Sequence, residues 1–444
     1  MPKNYGNQRD IPSVDFLIEN LDSNNIPRPL LSRLVRDELK KIRKTEKVPS
    51  RSEIIDLLNK KKSDLTLSRI KPIINGTGVV IHTNLGRSPI DIPDGSGGYL
   101  NLEFDLSNGK RGDRAIYVEK CLATLLNTQA GMFVNNCAAA LMLILKILSQ
   151  DKNKVIISRG ELVQIGGGFR LPEILQSTGA ELCEVGTTNK TTIADYEESI
   201  DSNTGLILKV HRSNFSMDGF VGSPTRKELG LLAKKKRIPL IEDLGSSVLH
   251  SYDCFAEPDL NPRRVLKEGV DLVCFSGDKL MGGAQSGVIA GKKKLINSLK
   301  KQPFYRAFRC DKMVLTVMQD VLEKYLNREV DSLKINKIIT EDLHPLKQRA
   351  EKIVSELKGI KLDCDIMPCT STVGGGTSPR AKINSIALQL SSNKLTAIQI
   401  AARMRNAELP IIGLIKGGRY CLDLRTIFPE QDKFLLSRIR EIFN

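Results

Sequence analysis

The stretch VDLVCFSGDKLMGGAQSGVIAG, residues 270–291, places a single lysine, Lys279, between two apolar runs that have the composition of strands. Five glycines lie around this lysine, and glycine allows the backbone and a cofactor to approach each other closely. A lysine buried after a strand can lose its proton and attack a carbonyl carbon. Judged alone, a lysine in such a turn is more often a surface residue, so its role depends on the rest of the chain.

Short apolar runs alternate with helix-like segments throughout the middle of the chain. The runs are GMFVNN (131–136), KVIISR (154–159), GLILKV (205–210), IPLIED (238–243) and VDLVCF (270–275). Segments such as AAALMLILKIL (138–148) and RKELGLLAKKK (226–236) separate them. This alternation predicts βαβ units and a mainly parallel sheet. Ligands of such sheets bind beyond the carboxyl ends of the strands, so the polar residues that follow each run are the candidates for chemistry.

Polar groups follow three of these runs where the strands are expected to end. In FVNNCAAALMLIL, residues 133–145, a strand, a turn and a helix follow one another, so free N–H groups at 137–139 would form an anion site. Asp243 ends IPLIED, where it could pair with a protonated ring nitrogen or, as is commoner for an isolated aspartate, cap a helix. With Lys279 these groups match the needs of pyridoxal 5′-phosphate: an anchor for the phosphate, an acid for the pyridine nitrogen and an amine for the Schiff base.

Composition sets the class of protein. A length of 444 residues predicts about two or three domains. The absence of a long apolar stretch and of a signal-like start predicts a cytoplasmic protein with no membrane association. Nine cysteines without a CxxC pair and four scattered histidines predict reduced thiols and no metal site. The formal net charge of +16 is equally compatible with nucleic-acid binding and with a generally basic protein.

Residues 1–70 are predicted to form a small, basic, helical domain. LLSRLVRDELKKIRK (30–44) has one apolar and one basic helical face, and Ser50 and Glu53 have capping-box spacing at the start of a second helix. Judged alone, such a basic face is more often a solvated helix face than a binding surface. Residues 71–306 are predicted to form a large domain around the mainly parallel sheet, and residues 307–444 a smaller α+β domain.

The chain closely resembles the bacterial selenocysteine synthase family, the L-seryl-tRNA(Sec) selenium transferases, from about residue 11 to residue 434. The matching motifs are INGTGVVIHTNLGRSP (74–89), NLEFDLSNGKRGDR (101–114), FVNNCAAA (133–140), SRGELVQIGGGFRLPEIL (158–175), EVGTTNKT (184–191), KVHRSNFSMDGF (209–220), FSGDKLMGGAQSGVIAGKK (275–293), FYRAFRCDKM (304–313), STVGGGTSP (371–379) and CLDLRT (421–426). The resemblance implies an α/β fold, a fold-type-I pyridoxal-phosphate-dependent transferase with a small helical N-terminal tRNA-binding domain and a C-terminal α+β domain.

The resemblance also implies the roles of individual residues. Lys279 carries the Schiff base, Asp278 assists catalysis, Asp243 faces the pyridinium and Asn214 faces the phenolic oxygen. The remaining implied cofactor-binding residues are Asn136, Cys137, Ala138 and Ser276. The arginines implied to hold the selenium-donor anion are Arg87, Arg306 and Arg309. Forked guanidinium groups suit a small oxyanion, although these arginines could instead pair with acids such as Asp311.

The implied reaction converts L-seryl-tRNA(Sec) to L-selenocysteinyl-tRNA(Sec) by elimination of water and addition of selenium from selenophosphate. By the same resemblance the protein is a homo-oligomer of dimers, a decamer. Two alternatives stay open at this point. One is a related pyridoxal phosphate enzyme that acts on a free amino acid or a phosphorylated sugar acid, and the other is a non-catalytic tRNA-binding protein.

Four positions depart from the family pattern. Cys137 stands where an asparagine is usual, Gln164 replaces a glutamate, and Ala284 and Ser286 replace proline and alanine. The segment after Arg87 is also short and rich in proline and glycine, which predicts that a helix found in many relatives is trimmed here. Cys137 and Gln164 bear on the hydrogen bonds of the cofactor pocket.

Overall fold

The computed structural model describes residues 11–21, 26–45, 47–95, 97–164, 168, 170–252, 260–378 and 381–443. Residues 165–167, 169 and 379, which belong to two of the family motifs, lie outside the described residues. The chain divides into two compact units, Met1–Ile73 with Ala402–Pro410, and Ile74–Ala401 with Ile411–Asn444. The predicted large and small domains fall within the second unit, so a boundary at residue 307 stays a prediction.

The elements are numbered in chain order. The α-helices are α1 Val14–Asn20, α2 Arg28–Ile42, α3 Arg51–Leu67, α4 Ile116–Leu126, α5 Cys137–Leu148, α6 Leu171–Ser177, α7 Ile193–Ser199, α8 Arg226–Lys236, α9 Pro262–Lys267, α10 Lys293–Lys300, α11 Pro303–Phe308, α12 Lys312–Leu326, α13 Lys334–Thr340, α14 Leu343–Glu356, α15 Ala397–Arg405 and α16 Asp432–Phe443. The strands are β1 Ile74–Asn75, β2 Phe104–Asp105, β3 Lys110–Arg111, β4 Ala130–Val134, β5 Lys154–Ser158, β6 Glu181–Val185, β7 Thr204–Val210, β8 Leu240–Gly245, β9 Leu272–Ser276, β10 Gly287–Gly291, β11 Asp363–Thr372, β12 Lys382–Ser391, β13 Ile411–Ile412, β14 Leu414–Lys416 and β15 Arg419–Asp423.

The first unit is built on the amphipathic pattern of α2 and the cap of α3. The apolar face of α2 is buried, and its polar face leaves Arg36 and Lys40 exposed. The predicted capping box of α3 is present, with the Ser50 N–H donating to Glu53 at 2.9 Å. A single apolar cluster joins these helices. Burial of that face, rather than helix propensity alone, holds such short helices together.

A seven-stranded sheet in the order β4-β10-β9-β8-β7-β5-β6 forms the centre of the second unit. The pairs β9–β8, β8–β7, β7–β5 and β5–β6 are parallel, whereas β10 runs antiparallel to both β9 and β4. The predicted mainly parallel sheet is therefore confirmed. Its inner strands are buried along their length, as expected for a sheet with helices on both faces.

A second sheet, in the order β11-β12-β15-β14, is tied to the segment after β1 by one buried carboxylate. Asp423 accepts hydrogen bonds from the hydroxyls of Ser371 at 2.6 Å and Ser385 at 2.5 Å. Gly78 packs against the same carboxylate with a φ of 71°, where a Cβ would lie 2.3 Å from an Asp423 oxygen. This contact fixes the start of residues 373–378, which lead to the site described below.

Two further expectations concern the segment after Arg87 and the hydropathy of the helices. Among the described residues from 88 to 103 the chain forms neither an α-helix nor a strand, as the short segment after Arg87 predicts. None of the helices in the described part of the chain has the length and hydropathy of a membrane span.

A buried ion pair provides a test of this packing. Arg226 makes two hydrogen bonds of 2.8 Å to Glu242, whose side chain is fully buried in β8. We expect Glu242→Gln to lower the free energy of unfolding by about 3 kcal/mol, because the buried guanidinium loses its two short bonds to a carboxylate and keeps a longer one, of 3.4 Å, to Glu268. Urea denaturation followed by circular dichroism measures the change. The matched control is Glu197→Gln, which removes an exposed ion pair with Lys235 and should lower the free energy of unfolding by less than about 1 kcal/mol. Equal losses of stability in the two variants would contradict this account.

Candidate active site

Lys279 lies in the turn between β9 and β10, at the carboxyl edge of the sheet. Its Nζ donates a hydrogen bond of 2.7 Å to the backbone carbonyl of Gly376. Burial lowers the pKa of the Lys279 amine below its ordinary value, while the nearby Cys137 and Asp243 act in the opposite direction. A buried amine with a lowered pKa loses its proton more readily and is then a nucleophile.

Asp243 lies near the end of β8, beside Lys279 in the sheet. Its Oδ1 accepts hydrogen bonds from the N–H of Gly245 at 2.8 Å and from the thiol of Cys137 at 3.5 Å. Burial raises the pKa of Asp243 above its ordinary value, and the charge of Lys279 partly opposes the shift. The sulfur atoms of Cys137 and Cys274 and a carboxylate oxygen of Asp243 all lie within 4.8 Å of one another. Such a carboxyl group is suited to a cationic partner such as a protonated ring nitrogen.

The start of α5 forms the predicted strand–turn–helix. The side chain of Asn136 caps the helix, with its Oδ1 accepting from the N–H of Ala139 at 2.8 Å. The N–H groups of Cys137 and Ala138 belong to the first turn of the helix. N–H groups in a first turn have no hydrogen-bond partner within the helix, so they favour binding of an anion. Ser276, at the end of β9, is buried. Asn136, Cys137 and Ala138 follow β4 and Ser276 ends β9, so these residues lie at the same edge of the sheet, with β10 between the two strands.

The glycines around Lys279 serve close packing of the backbone. A Cβ at Gly287 would lie 2.1 Å from the carbonyl oxygen of Asn136, and one at Gly291 would lie 2.1 Å from that of Asp271. A Cβ at Gly277 would lie 2.2 Å from the hydroxyl of Ser286. Three of the five glycines thus let β10 and its turn pack tightly against their neighbours, a role that sequence reasoning had assigned to approach of a cofactor.

Arg87 and Asp278 lie together next to Lys279. Arg87 Nη1 is 2.5 Å from Asp278 Oδ2, and Asp278 is only 5% exposed. The other oxygen of Asp278 is buried with no hydrogen-bond partner among the described residues, and so is the hydroxyl of Thr377, the neighbour of Gly376. Unpaired buried polar atoms are costly, so their presence here indicates a place for a polar ligand.

The structure places the other two predicted arginines in a different groove. Arg309 donates to Glu103 at 3.2 Å, and Arg306 is exposed on α11. The expected alternative, pairing with acids, holds for Arg87 with Asp278 and for Arg309 with Glu103. Asp311 is not the partner, and it caps α12 by accepting from the N–H of Val314 at 3.0 Å.

Asn214 lies on the exposed loop after β7. Its Nδ2 donates to the backbone carbonyl of Gln164 at 2.6 Å, so the amide has a partner other than the groups around Lys279. Its predicted contact with the phenolic oxygen of the cofactor stays a prediction.

Sequence reasoning missed Gly376. The segment STVGGGTSP was noted only as a family motif, yet Gly376 has a φ of 75° and a Cβ there would lie 3.1 Å from Lys279 Nζ. The glycine triplet was the available signal, because a non-glycine residue is strained at this φ.

These groups fit pyridoxal 5′-phosphate. Lys279 provides the amine, and Asp243 provides an acid for the ring nitrogen. The first turn of α5 provides N–H groups for the phosphate. The unpaired oxygen of Asp278 and hydroxyl of Thr377 provide further polar contacts at the same place.

Comparison with known proteins identifies the family. The family model described as L-seryl-tRNA selenium transferase matches residues 73–428. An L-seryl-tRNA(Sec) selenium transferase of Clostridium perfringens (strain 13 / Type A) is 41% identical, over 87% of this chain and 85% of the relative. One from Aquifex aeolicus (strain VF5) is 37% identical, over 98% of this chain and 99% of the relative.

Among solved structures, a D-glucosaminate-6-phosphate ammonia-lyase is similar with a TM-score of 0.58 and 21% identity, covering 84% of this chain and 96% of that chain. At that identity the likeness concerns the fold. The predicted fold-type-I class and the predicted cofactor, pyridoxal 5′-phosphate, are both confirmed. On the match of the family model and of relatives along nearly its whole length, this chain belongs to the L-seryl-tRNA selenium transferase family.

Proposed function

We propose that this protein converts L-seryl-tRNA(Sec) to L-selenocysteinyl-tRNA(Sec), with selenophosphate as the selenium donor. The observation that carries the proposal is a buried lysine of lowered pKa beside a buried aspartate, in a chain of this family. The related lyase fold does not favour a free sugar acid as substrate, because the likeness at 21% identity extends to the fold alone.

Pyridoxal phosphate, when bound, supplies an electron sink that stabilises negative charge on the carbon next to the substrate nitrogen. Lys279 would hold the cofactor through its amine, and the same amine would serve as the base that takes the proton from that carbon. Burial favours its neutral form, which this base needs. Asp243 keeps the ring nitrogen protonated. Cofactor contacts are proposed for Asn136, Cys137, Ala138 and Ser276 near the phosphate and for Asn214 near the phenolic oxygen.

Asp278 and Arg87 assist the exchange at the β-carbon. The carboxyl of Asp278, one residue from Lys279, is placed to assist departure of the hydroxyl group as water. Arg87 holds that carboxyl in the structure and is proposed to bind the donor anion. Arg306 and Arg309 are proposed for the same anion on the resemblance alone, because they line a different groove. Water must be kept from the unsaturated intermediate, which favours a site closed by a second subunit in a homo-oligomer, with a decamer proposed by analogy.

The N-terminal basic helices are proposed to hold the tRNA, since Arg36 and Lys40 lie on the exposed face of α2. Residues 1–70, 71–306 and 307–444 are the proposed domains for tRNA binding, cofactor binding and the smaller α+β region. A cytoplasmic location is proposed because seryl-tRNA is made and used there.

Replacement of the lysine tests the cofactor site. We expect Lys279→Ala to lose the cofactor that borohydride otherwise fixes to the chain, and to lose conversion of seryl-tRNA(Sec) by a factor of at least about 10³, since nucleophile and base are one group. Mass spectrometry of the labelled peptide and identification of the esterified amino acid measure the two effects. Lys292→Ala, an exposed lysine paired with Asp271, should change neither. Conversion by Lys279→Ala at the normal rate would refute the proposal.

Exchange of one cation for another tests the donor site. We expect Arg87→Lys to raise the KM for selenophosphate about tenfold or more, because a point charge cannot bind an oxyanion with two parallel hydrogen bonds. Steady-state kinetics with varied selenophosphate measure it. Arg159→Lys, at an exposed pair with Glu184, is the control. An unchanged KM in Arg87→Lys would remove Arg87 from the donor site.

Charge reversal on α2 tests the tRNA assignment. We expect the double variant Arg36→Glu, Lys40→Glu to bind tRNA(Sec) at least about tenfold more weakly and with a shallower salt dependence, because fewer counterions are released. Filter binding at several salt concentrations measures both. Lys352→Glu with Lys382→Glu, also exposed, is the control. Equal loss in both double variants would indicate a general charge effect and contradict the assignment.

A further inference from the structure

A basic groove with a volume of about 700 Å³ lies at the amino end of β4, where Gln129, Ala130 and Gly131 line it. β4 is an edge strand, paired with β10 on one side, and α4 and α10 pack against it from the two faces of the sheet. The groove, called here the β4 groove, is also lined by residues of α11 and by residues that flank β2 and β3.

Positive charge dominates the β4 groove. Seven cationic side chains and three carboxylates line it. Glu103 forms ion pairs with Arg111, Arg114 and Arg309, and Glu119 forms one with Lys300. Within the part of the chain that the structure describes, Lys120, Lys293 and Arg306 form no ion pair. Their charge is therefore available to an anion from outside the protein.

The β4 groove leads towards the lysine site. At the amino end of β4, the N–H of Lys293 donates to Gln129 at 3.0 Å. At the carboxyl end, Arg309 bridges to Val134, and the N–H of Asn135 donates to the carbonyl of Phe308 at 2.8 Å. The next residue, Asn136, caps the helix proposed to hold the cofactor phosphate. From Gly131, which lines the groove, to Val134 the strand rises about 10 Å towards the lysine site, at ~3.4 Å per residue.

An aromatic ring lies in the same groove. Tyr305, on α11, is half-buried in the wall, and burial raises the pKa of its hydroxyl to about 12. The phenol stays neutral at physiological pH and adds no negative charge. A row of cations with an aromatic ring is the combination that binds single-stranded nucleic acid, with phosphates on the cations and a base on the ring.

We propose that the β4 groove binds the single-stranded 3′ end of the aminoacyl-tRNA. Lys120 and Lys293 contact its phosphates, Tyr305 stacks on a base, and the 3′-terminal ribose with its seryl ester leaves the groove past Arg309. The inference rests on the proposed function, since the ester must reach Lys279.

A second basic groove of about 880 Å³, which includes Lys234 and Lys267, lies at the amino ends of β8 and β9. RNA bound in this second groove would lie at the edge of the sheet opposite to the edge that carries Lys279. It therefore provides a matched control of similar size and charge.

The test uses the full-length protein with its cofactor and a hairpin RNA that copies the acceptor stem and ends in a single-stranded CCA overhang. We expect Lys120→Glu with Lys293→Glu to weaken binding at least tenfold. The slope of log affinity against log salt should fall in magnitude by about 1.4, at ~0.7 for each lost single-strand phosphate. Lys234→Glu with Lys267→Glu should stay within twofold of the unaltered protein. A blunt hairpin without the overhang should bind all three proteins equally.

The proposal is overturned if the variant Lys120→Glu with Lys293→Glu binds the overhang hairpin with normal affinity. It is equally overturned if the affinity of this variant for the blunt hairpin falls as much as its affinity for the overhang hairpin. It is also overturned if the unaltered protein does not distinguish the two hairpins. Borohydride fixation of the cofactor shows that the variant is folded, and Lys120→Gln with Lys293→Gln repeats the test if it is not. Lys279→Ala should keep overhang binding, so failure of the chemistry and failure of the groove are told apart.

Discussion

The amine of Lys279 is held away from bulk water by the sheet edge and by one backbone carbonyl, that of Gly376. An ammonium group that loses its hydration must find other hydrogen-bond partners, and this carbonyl provides one. The same burial lowers the pKa of the amine. A lysine that is both fixed in position and easily deprotonated can serve first as the attachment point and then as the base. The arrangement depends on glycine at position 376, because the φ of 75° is strained for other residues.

The carboxylate of Asp243 contacts cysteine thiols as well as the backbone. Asp243 accepts from Cys137 as well as from Gly245, and Cys274 lies beside both. Its contact with Cys137, together with burial, raises the pKa of Cys274, so that thiol stays neutral next to the carboxylate. A thiol is a weak hydrogen-bond donor, so this contact leaves the charge of Asp243 largely available to a ring nitrogen.

Local sequence patterns predicted the strands, the α5 cap region, Asp243 and Lys279, because apolar period and strand–turn–helix order are local properties. They did not predict the contact between Lys279 and Gly376, which joins segments almost a hundred residues apart. Nor did they predict that Glu103 holds Arg309, or that Asn214 donates to Gln164. Partner choice among polar side chains depends on tertiary placement, which residue spacing does not encode. The close packing of Gly287 and Gly291 was missed for the same reason, since their nearest contacts are backbone oxygens of Asn136 and Asp271.

The pairing of β4 with β10 determines when the site can assemble during synthesis. β4 is the first strand of the large sheet to leave the ribosome, yet its partner in that sheet is completed only at Gly291. Until then its hydrogen-bonding edge is open to other strands. Gly376, which completes the surroundings of Lys279, emerges later still. A nascent chain that ends before Gly376 therefore has the lysine without its carbonyl partner.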